Sequence, residues 1–571
     1  MTSPLRLLIQ QARQKAAAEA NPITIHHHKP VPQVPVQVPS EPQVPQSPIH
    51  IGIDRYGKQI EWNTEQWDFI TTASTGKSSI LIGAAGTGKT TTMRGTIEEI
   101  LRNRHIPTIA ASHKHLPSNT PGIIAVSYTR RAVQNLRKAM PTELQGNCIT
   151  IHKALEYQPN FYEIEDPVTG ERKKTMRFEP SRNRYYPLPD TIKVVIIDES
   201  SMVSVDLFAQ LKAALPHNPQ YIFLGDIQQL PPIFGSAILG FKSLQYPTTE
   251  LVQVYRQALE SPIIRLAHRI LSGKGIPISE FDQWNFPNQL KLHPWKKKIS
   301  ADSALLTVAA FFKQAYDTNN YDPAEDQILI PFNKACGTDE LNKHIANHIA
   351  RKHGRMTHEV IAGYNKYYFS EGDLVLYEKE DAEIVEIKRN PTYMGKWPQA
   401  ASTNLDYWGC LQESVHHIST EEGPTTEDVD KMLDSIEVSE VEDRVKEASH
   451  VLTVKLLDSE QLVEVKSAAG INALLLSYAL TIHKSQGSEW RNVYLILHNS
   501  HNTMIQRELL YTACTRAKES LYVICEPDSF EKGISGQRIK GNSLKEKMEF
   551  FKGKLESDEE SLLPFVMDDL A

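Results

Sequence analysis

The chain has 571 residues, with 69 acidic and 62 basic side chains and a formal net charge of −7. Its length suggests two to four domains at roughly 150 residues each, and 40% hydrophobic content is enough for packed cores. That balance rules out a uniformly basic coat, so any nucleic-acid track needs positive charge confined to one groove. The five cysteines, Cys148, Cys336, Cys410, Cys514 and Cys525, include no C-x-x-C pair and no zinc spacing. This points away from disulfides and zinc and toward a reducing cytoplasm. No apolar run approaches the ~18 residues that span a bilayer, and the N-terminus lacks a signal-peptide pattern. A soluble, cytoplasmic chain with no membrane role is expected.

In chain order, residues 3–20 read as a short helix with Leu5, Leu8, Ile9 and Ala12 on one side. Residues 22–48 carry eight prolines and cannot build a core, so 1–50 is expected to be a disordered leader with an extended linker. His26, His27 and His28 read as a solvated run. From residue 51, apolar strands alternate with helical patterns: SSILIGAA (78–85), GIIAVSY (122–128), VVIID (194–198) and YIFLGD (221–226). A second alternating block holds ILIPF (328–332), ALLLSYA (473–479), NVYLIL (492–497) and SLYVIC (520–525). Such alternation predicts α/β domains built on parallel sheets, over 51–250 and 251–530.

Each block carries an insertion. Residues 156–188 read as a β-hairpin with its tip near Pro167 to Glu171. Residues 360–470 hold β-like segments around an acidic stretch, Glu413 to Glu447, that should be solvated and avoid phosphates. Residues 531–571 are expected to form a C-terminal helix and an acidic tail.

Residues 83–90, GAAGTGKT, follow an apolar strand and open a helix, the context a phosphate-binding loop needs. Gly83, Gly86 and Gly88, with Ala84, Ala85 and Thr87, offer backbone N–H groups to phosphates at a helix N-terminus. Lys89 reaches the β- and γ-phosphates, and the Thr90 hydroxyl, followed by Thr91, is placed to ligate Mg²⁺. TGKSS (75–79) lacks the preceding glycine and reads as a polar turn. VVIIDES (194–200) ends a buried strand with Asp198, a second Mg²⁺ ligand, and Glu199, the base for the attacking water.

With these motifs in order, the chain resembles superfamily 1 helicases, and among them the 5′→3′ branch that includes RecD and the phage helicase Dda. NTEQ (63–66) is similar to the adenine-reading glutamine motif, with Gln66 as reader. SYTRRAVQNL (127–136) takes the place of motif Ia, although Ser127-Tyr128 departs from the family's usual residues. TIHKAL (150–155), DESSM (198–202), GDIQQLPP (225–232), VYRQ (254–257), LTIHKSQGSEW (480–490) and YTACTRAK (511–518) follow in the family's order.

The resemblance implies two RecA-like P-loop domains with ATP and Mg²⁺ between them, a hairpin insertion that splits the duplex, and a small β-barrel insertion. Tyr157, Phe161 and Tyr162 would lie near the splitting hairpin to stack on bases. Lys89, Glu199, Gln229, Arg256 and Arg516 are the implied catalytic residues, with Gln229 sensing the γ-phosphate and Arg516 as arginine finger. Gly487 and Glu489 would approach the nucleotide. Thr129, Arg130, His152, Lys153, Thr481, His483, Lys484 and Ser485 would grip single-stranded DNA through its phosphates. The implied partners are single-stranded DNA and single-strand/duplex junctions, with replication proteins as candidates to bind the termini. An RNA track, a relaxase module and a non-catalytic scaffold are the competing readings.

Overall fold

The computed structural model describes residues 50–53, 59–110, 113–165, 172–215, 217–232, 235–252, 261–295, 298–363, 365–377, 380–393, 447–457 and 460–557. The leader helix, the proline-rich linker, the hairpin tip, Arg256, the acidic stretch up to residue 446 and the acidic tail lie outside them.

A short antiparallel pair, β1 (His50–Ile53) and β2 (Gln59–Trp62), leads into α1 (Thr64–Ser74). Then come β3 (Ser79–Gly83), α2 (Lys89–Asn103), β4 (Ile123–Ser127), α3 (Arg130–Ala139), β5 (Cys148–Thr150) and the single turn α4 (Ile151–Ala154). The hairpin β6 (Tyr157–Glu165) and β7 (Arg172–Pro180) pairs in continuous antiparallel register. The chain continues with β8 (Val194–Asp198), α5 (Val205–Ala214), β9 (Gln220–Gly225), α6 (Ile238–Lys242) and β10 (Thr248–Leu251). These strands form a parallel sheet in the order β10-β3-β9-β8-β4-β5.

Buried side chains pack on both faces, which is why the central strands β3, β4, β8 and β9 are largely apolar rather than alternating. Ile80 and Ile82 of β3 enter one core, and Leu81 between them enters the other, as the two-residue period of a strand requires.

A second parallel sheet follows the same logic. Its elements are α7 (Pro262–Leu271), β11 (Leu290–Pro294), α8 (Ala301–Asp317), β12 (Asp326–Ile330) and α9 (Thr338–Lys352). The insertion intervenes: β13 (Thr357–Ala362), β14 (Asn365–Ser370), β15 (Leu374–Tyr377), β16 (Glu380–Arg389), β17 (Glu447–Leu456), β18 (Leu462–Ser467), α10 (Ala468–Asn472) and β19 (Leu475–Leu476). The sheet is completed by β20 (Ala479–Thr481), β21 (Trp490–Leu497), α11 (Arg507–Cys514) and β22 (Ala517–Cys525). Its order is β11-β22-β21-β12-β20.

The insertion contains an antiparallel sheet, β18-β17-β16-β15-β19, and a separate pair, β13-β14. Among the described residues its hydrogen bonding does not close into a ring. The segment ALLLSYA is not one strand, as the apolar run suggested. Leu475–Leu476 pair with β15 of the insertion, and Ala479–Thr481 pair with β12. Asn342 fixes the corner, donating to the carbonyls of both Leu476 and Ala479 at 2.9 Å. Buried Tyr478 donates to Asp373 at 2.9 Å.

After β22, α12 (Pro527–Ser535) stays with the second sheet, but α13 (Leu544–Ser557) returns to the first. Phe551 of α13 stacks edge-on against Phe241 at 5.1 Å. Any Cβ on Gly240 would lie 2.2 Å from the Phe551 ring. Lys554 donates to Ser236 at 2.7 Å.

Candidate functional site

The GAAGTGKT turn joins β3 to α2. Gly86 (φ +79°) and Gly88 (φ +86°) occupy left-handed backbone that L side chains rarely adopt. Thr87 fastens the turn by donating to the Ala84 carbonyl at 2.9 Å. A Cβ on Gly83 would meet that same Thr87 hydroxyl at 2.4 Å. The half-buried Lys89 folds its ammonium over the turn, donating to the carbonyls of Gly83 (2.6 Å) and Ala84 (3.1 Å). Thr90 and Thr91 are exposed at the first turn of α2. A cation, a helix N-terminus and a loop without side-chain obstruction make an anion site of phosphate size.

β8 delivers Asp198 and Glu199 beside this loop. Burial and the adjacent Glu199 push the Asp198 carboxyl up to about 7, and Lys89 opposes that rise. The backbone of Glu199 is left-handed (φ +49°), a conformation that costs a non-glycine residue roughly 1 kcal/mol or more and is concentrated at functional sites. The carboxyl oxygens of Asp198 and Glu199 are donors of the kind Mg²⁺ takes. Gln66 lies fully buried at the start of α1. NTEQ forms a capping box there: Gln66 N–H donates to Asn63 Oδ1 at 2.8 Å, and Asn63 N–H donates to Gln66 Oε1 at 3.2 Å.

The two sheets meet at GDIQQLPP. Asp226 accepts from Gln228 N–H at 2.9 Å and from the Tyr511 hydroxyl at 2.6 Å. That hydroxyl also accepts from Ala85 N–H, inside the phosphate loop, at 3.1 Å. Leu230 N–H donates to Thr512 Oγ1 at 3.0 Å, and Gln486 donates to the Leu230 carbonyl at 2.9 Å. Gln229 is buried in this junction, and its Oε1 has no hydrogen-bond partner among the described residues.

Arg516 is also buried here. Its guanidinium donates to the carbonyls of Thr512 (3.1 Å) and Ser488 (3.2 Å) and to Thr515 Oγ1 (3.2 Å), so it ties YTACTRAK to the preceding motif. Gly487 (φ +76°) is buried, whereas Glu489 is exposed.

The expected nucleic-acid residues form two groups. In the first, Thr129 caps α3 by accepting from Ala132 N–H at 3.2 Å. Arg130 pairs with Glu380 at 2.8 Å, Arg131 pairs with Asp381, and Arg131 stacks on Trp490 at 4.8 Å. Thr150 caps α4 by accepting from Lys153 N–H at 3.1 Å. His152 packs between Tyr128 (5.5 Å) and Tyr157 (4.9 Å).

In the second group, Thr481 and Ser485 are buried, and Lys484 is exposed. Burial and Arg538 push His483 down to about 4, so it is neutral. The side chains of Phe161 and Tyr162 lie outside the described residues.

Sequence reading missed two features. Loop 333–337 leads into α9 with Ala335 (φ +49°) and Cys336 (φ +64°) both left-handed. His501 and Ser500 hold the Ala335 carbonyl from below at 2.9 and 3.0 Å. Asp339 of α9 lies within electrostatic range of Lys484. The second is a knuckle after β7. Asn183 accepts from the N–H groups of Tyr185 (2.9 Å) and Tyr186 (3.2 Å), and Arg182 stacks under Tyr186 at 3.9 Å. Tyr185 is left 90% exposed. The signal was the pair of tyrosines in a polar loop.

A model of the AAA domain matches residues 66–235, and a model of the UvrD-like helicase C-terminal domain matches residues 476–524. The chain is 26% identical over 419 residues to an ATP-dependent RecD2 DNA helicase of Deinococcus radiodurans, covering 73% of this chain and 48% of the relative. It is 22% identical to the RecBCD enzyme subunit RecD of Mycobacterium tuberculosis, covering 82% of this chain and 70% of the relative. Thus the chain spans about half the length of the first of these relatives. A Pif1 helicase of Candida albicans aligns in structure with a TM-score of 0.43 and 17% identity, over 87% of this chain and 100% of that one. No helix among the described residues is long and apolar enough to cross a membrane.

Proposed function

We propose that this chain is a RecD-like superfamily 1 helicase that hydrolyses ATP to move along single-stranded DNA in the 5′→3′ direction and open the duplex ahead of it, in replication, recombination or repair. The observation that carries this reading is the junction between the sheets. One short stretch, Asp226 to Leu230, is bonded both to the phosphate loop, through Tyr511, and to the second sheet, through Thr512 and Gln486. A nucleotide that changes the phosphate loop therefore acts directly on the segments that hold the second sheet.

In this reading Lys89 stabilises the charge on the transferring phosphate. Glu199 orients and deprotonates the attacking water, and Gln229, buried with an unsatisfied oxygen, senses the γ-phosphate side of the cleft. Thr90 and Asp198 would hold Mg²⁺, which neutralises phosphate charge when bound. Arg516 supplies the cation from the second domain after releasing the Ser488 and Thr512 carbonyls. The strand follows Thr129, Arg130, His152 and Lys153 on one domain and Thr481, His483, Lys484 and Ser485 on the other. Tyr157 and the exposed Tyr185 stack on bases near the hairpin.

The test is steady-state ATP turnover with and without an oligothymidine. Single strands should stimulate the wild type. Lys89→Ala should lose at least ~10²-fold, and Glu199→Gln should bind ATP without turning it over. Full turnover by Glu199→Gln would overturn the choice of base.

A further inference from the structure

We propose that Tyr511 is a positioning residue that couples nucleotide binding to the grip on the nucleic-acid strand. This rests on the ATPase reading above and deepens it, by giving the Tyr511 hydroxyl a role in how one site acts on the other.

The phenol is 1% exposed and sits where the two sheets meet. Its hydroxyl makes two bonds of fixed polarity. Asp226 Oδ2 is a carboxylate oxygen and only accepts, so the Tyr511 proton points to it, at 2.6 Å. The remaining lone pairs then accept from Ala85 N–H at 3.1 Å. Burial and Asp226 together hold the phenol well above its ordinary pKa, so it stays protonated.

Ala85 is the third residue of GAAGTGKT, and its amide belongs to the loop that receives the phosphates. Asp226 is the second residue of GDIQQLPP, and its other oxygen accepts from Gln228 N–H at 2.9 Å, beside Gln229. Tyr511 itself rides on α11, whose next residue, Thr512, accepts from Leu230 N–H at 3.0 Å. One turn of one helix therefore reads the phosphate loop and the Asp226–Leu230 loop at once.

The same loop is tied to the strand-gripping segment: Gln486 donates to the Leu230 carbonyl at 2.9 Å. A change in what the Ala85 amide bonds to is passed through a single hydroxyl to Asp226, and from there toward Gln486 and its neighbours His483 to Ser485. Tyr511→Phe removes that hydroxyl and keeps the ring that fills the core.

The experiment measures binding of a fluorescein-labelled oligothymidine by anisotropy, with and without a non-hydrolysable ATP analogue. The wild type should show the analogue shifting oligothymidine Kd by at least about five-fold, the lower end of typical coupling between sites. In Tyr511→Phe that shift should fall below about two-fold, while Kd for the oligothymidine without analogue stays within about two-fold of wild type. Asp226→Asn, which cuts the relay at its other end, should lose the shift likewise. In turnover assays Tyr511→Phe should lower the stimulated kcat about ten-fold with little change in KM for ATP, the loss expected of one hydrogen bond to a charged acceptor.

A Tyr511→Phe protein that keeps the full analogue-induced shift overturns the proposal. So does a wild type that binds both ligands with no shift between them. A wild type that binds neither ATP analogue nor oligothymidine defeats the functional reading itself, and is thereby distinguishable.

Discussion

Gly487 is pressed against Thr129 so closely that a Cβ built on it would stand 2.4 Å from the Thr129 hydroxyl and 3.2 Å from Ala132 Cβ. Thr129 follows β4 of the first sheet, Gly487 lies between β20 and β21 of the second, and Gly487 holds a φ of +76°. Gly487→Ala therefore carries two costs: a left-handed alanine, roughly 1 kcal/mol or more, and a contact that must open. The expected outcome is a loss of at least ~10-fold in strand-stimulated turnover, with the circular dichroism of the wild type retained. Unchanged stimulated turnover would show that the close approach does not matter for function.

The arginines at the start of α3 are engaged by the insertion rather than directed to solvent. Glu380 and Asp381 pair with Arg130 and Arg131. Carboxylates and nucleic-acid phosphates compete for the same guanidinium groups. Glu380→Gln combined with Asp381→Asn should tighten binding of an oligothymidine by about three- to ten-fold at low ionic strength. The advantage should shrink as salt rises. Equal or weaker binding across a salt titration would mean that these pairs are structural only.

His501, 1% exposed, supports the Ala335 carbonyl. Burial pushes its imidazole from 6.5 down to about 4. Above pH 6.5 it is neutral in both folded and unfolded chains. Between about 6.5 and 4 the unfolded chain takes up a proton that the folded one refuses, so stability falls as pH falls, by up to roughly 1.4 kcal/mol per pH unit. His293, His450 and His483 act in the same direction. Thermal midpoints should drop from pH 7 to pH 5, and His501→Gln should show the shallower drop. Parallel profiles for the two proteins would contradict this.

Much of the architecture was legible because both faces of each sheet are covered. Val194–Ile197 and Tyr221–Leu224 are apolar without interruption, and the alternation with helices named the fold class. The phosphate loop was legible because its glycines answer a local backbone demand. Strands that owe their pairing to distant partners were not. Thr248–Leu251 looks polar, yet it closes one edge of the first sheet beside β3. Leu475–Leu476 and Ala479–Thr481 read as one run because nothing local marks Asn342 as the residue that pins the corner.

At the site, sequence supplied residue types but not partners. Thr129 and Gln66 were read as ligand contacts, and each also takes part in capping a helix. Tyr511 stood in plain view beside Arg516, and only folding brought it to Ala85 and Asp226.

Strand separation with ATP and Mg²⁺ on two duplexes, one bearing a 5′ single-stranded DNA tail and the other a 3′ tail, with Lys89→Ala as control, tests the motor and its direction together. The expected result is unwinding of the 5′-tailed duplex alone, abolished in Lys89→Ala. Unwinding from the 3′ tail alone would contradict the direction, and unwinding of neither, with no strand-stimulated ATP turnover, would contradict the motor.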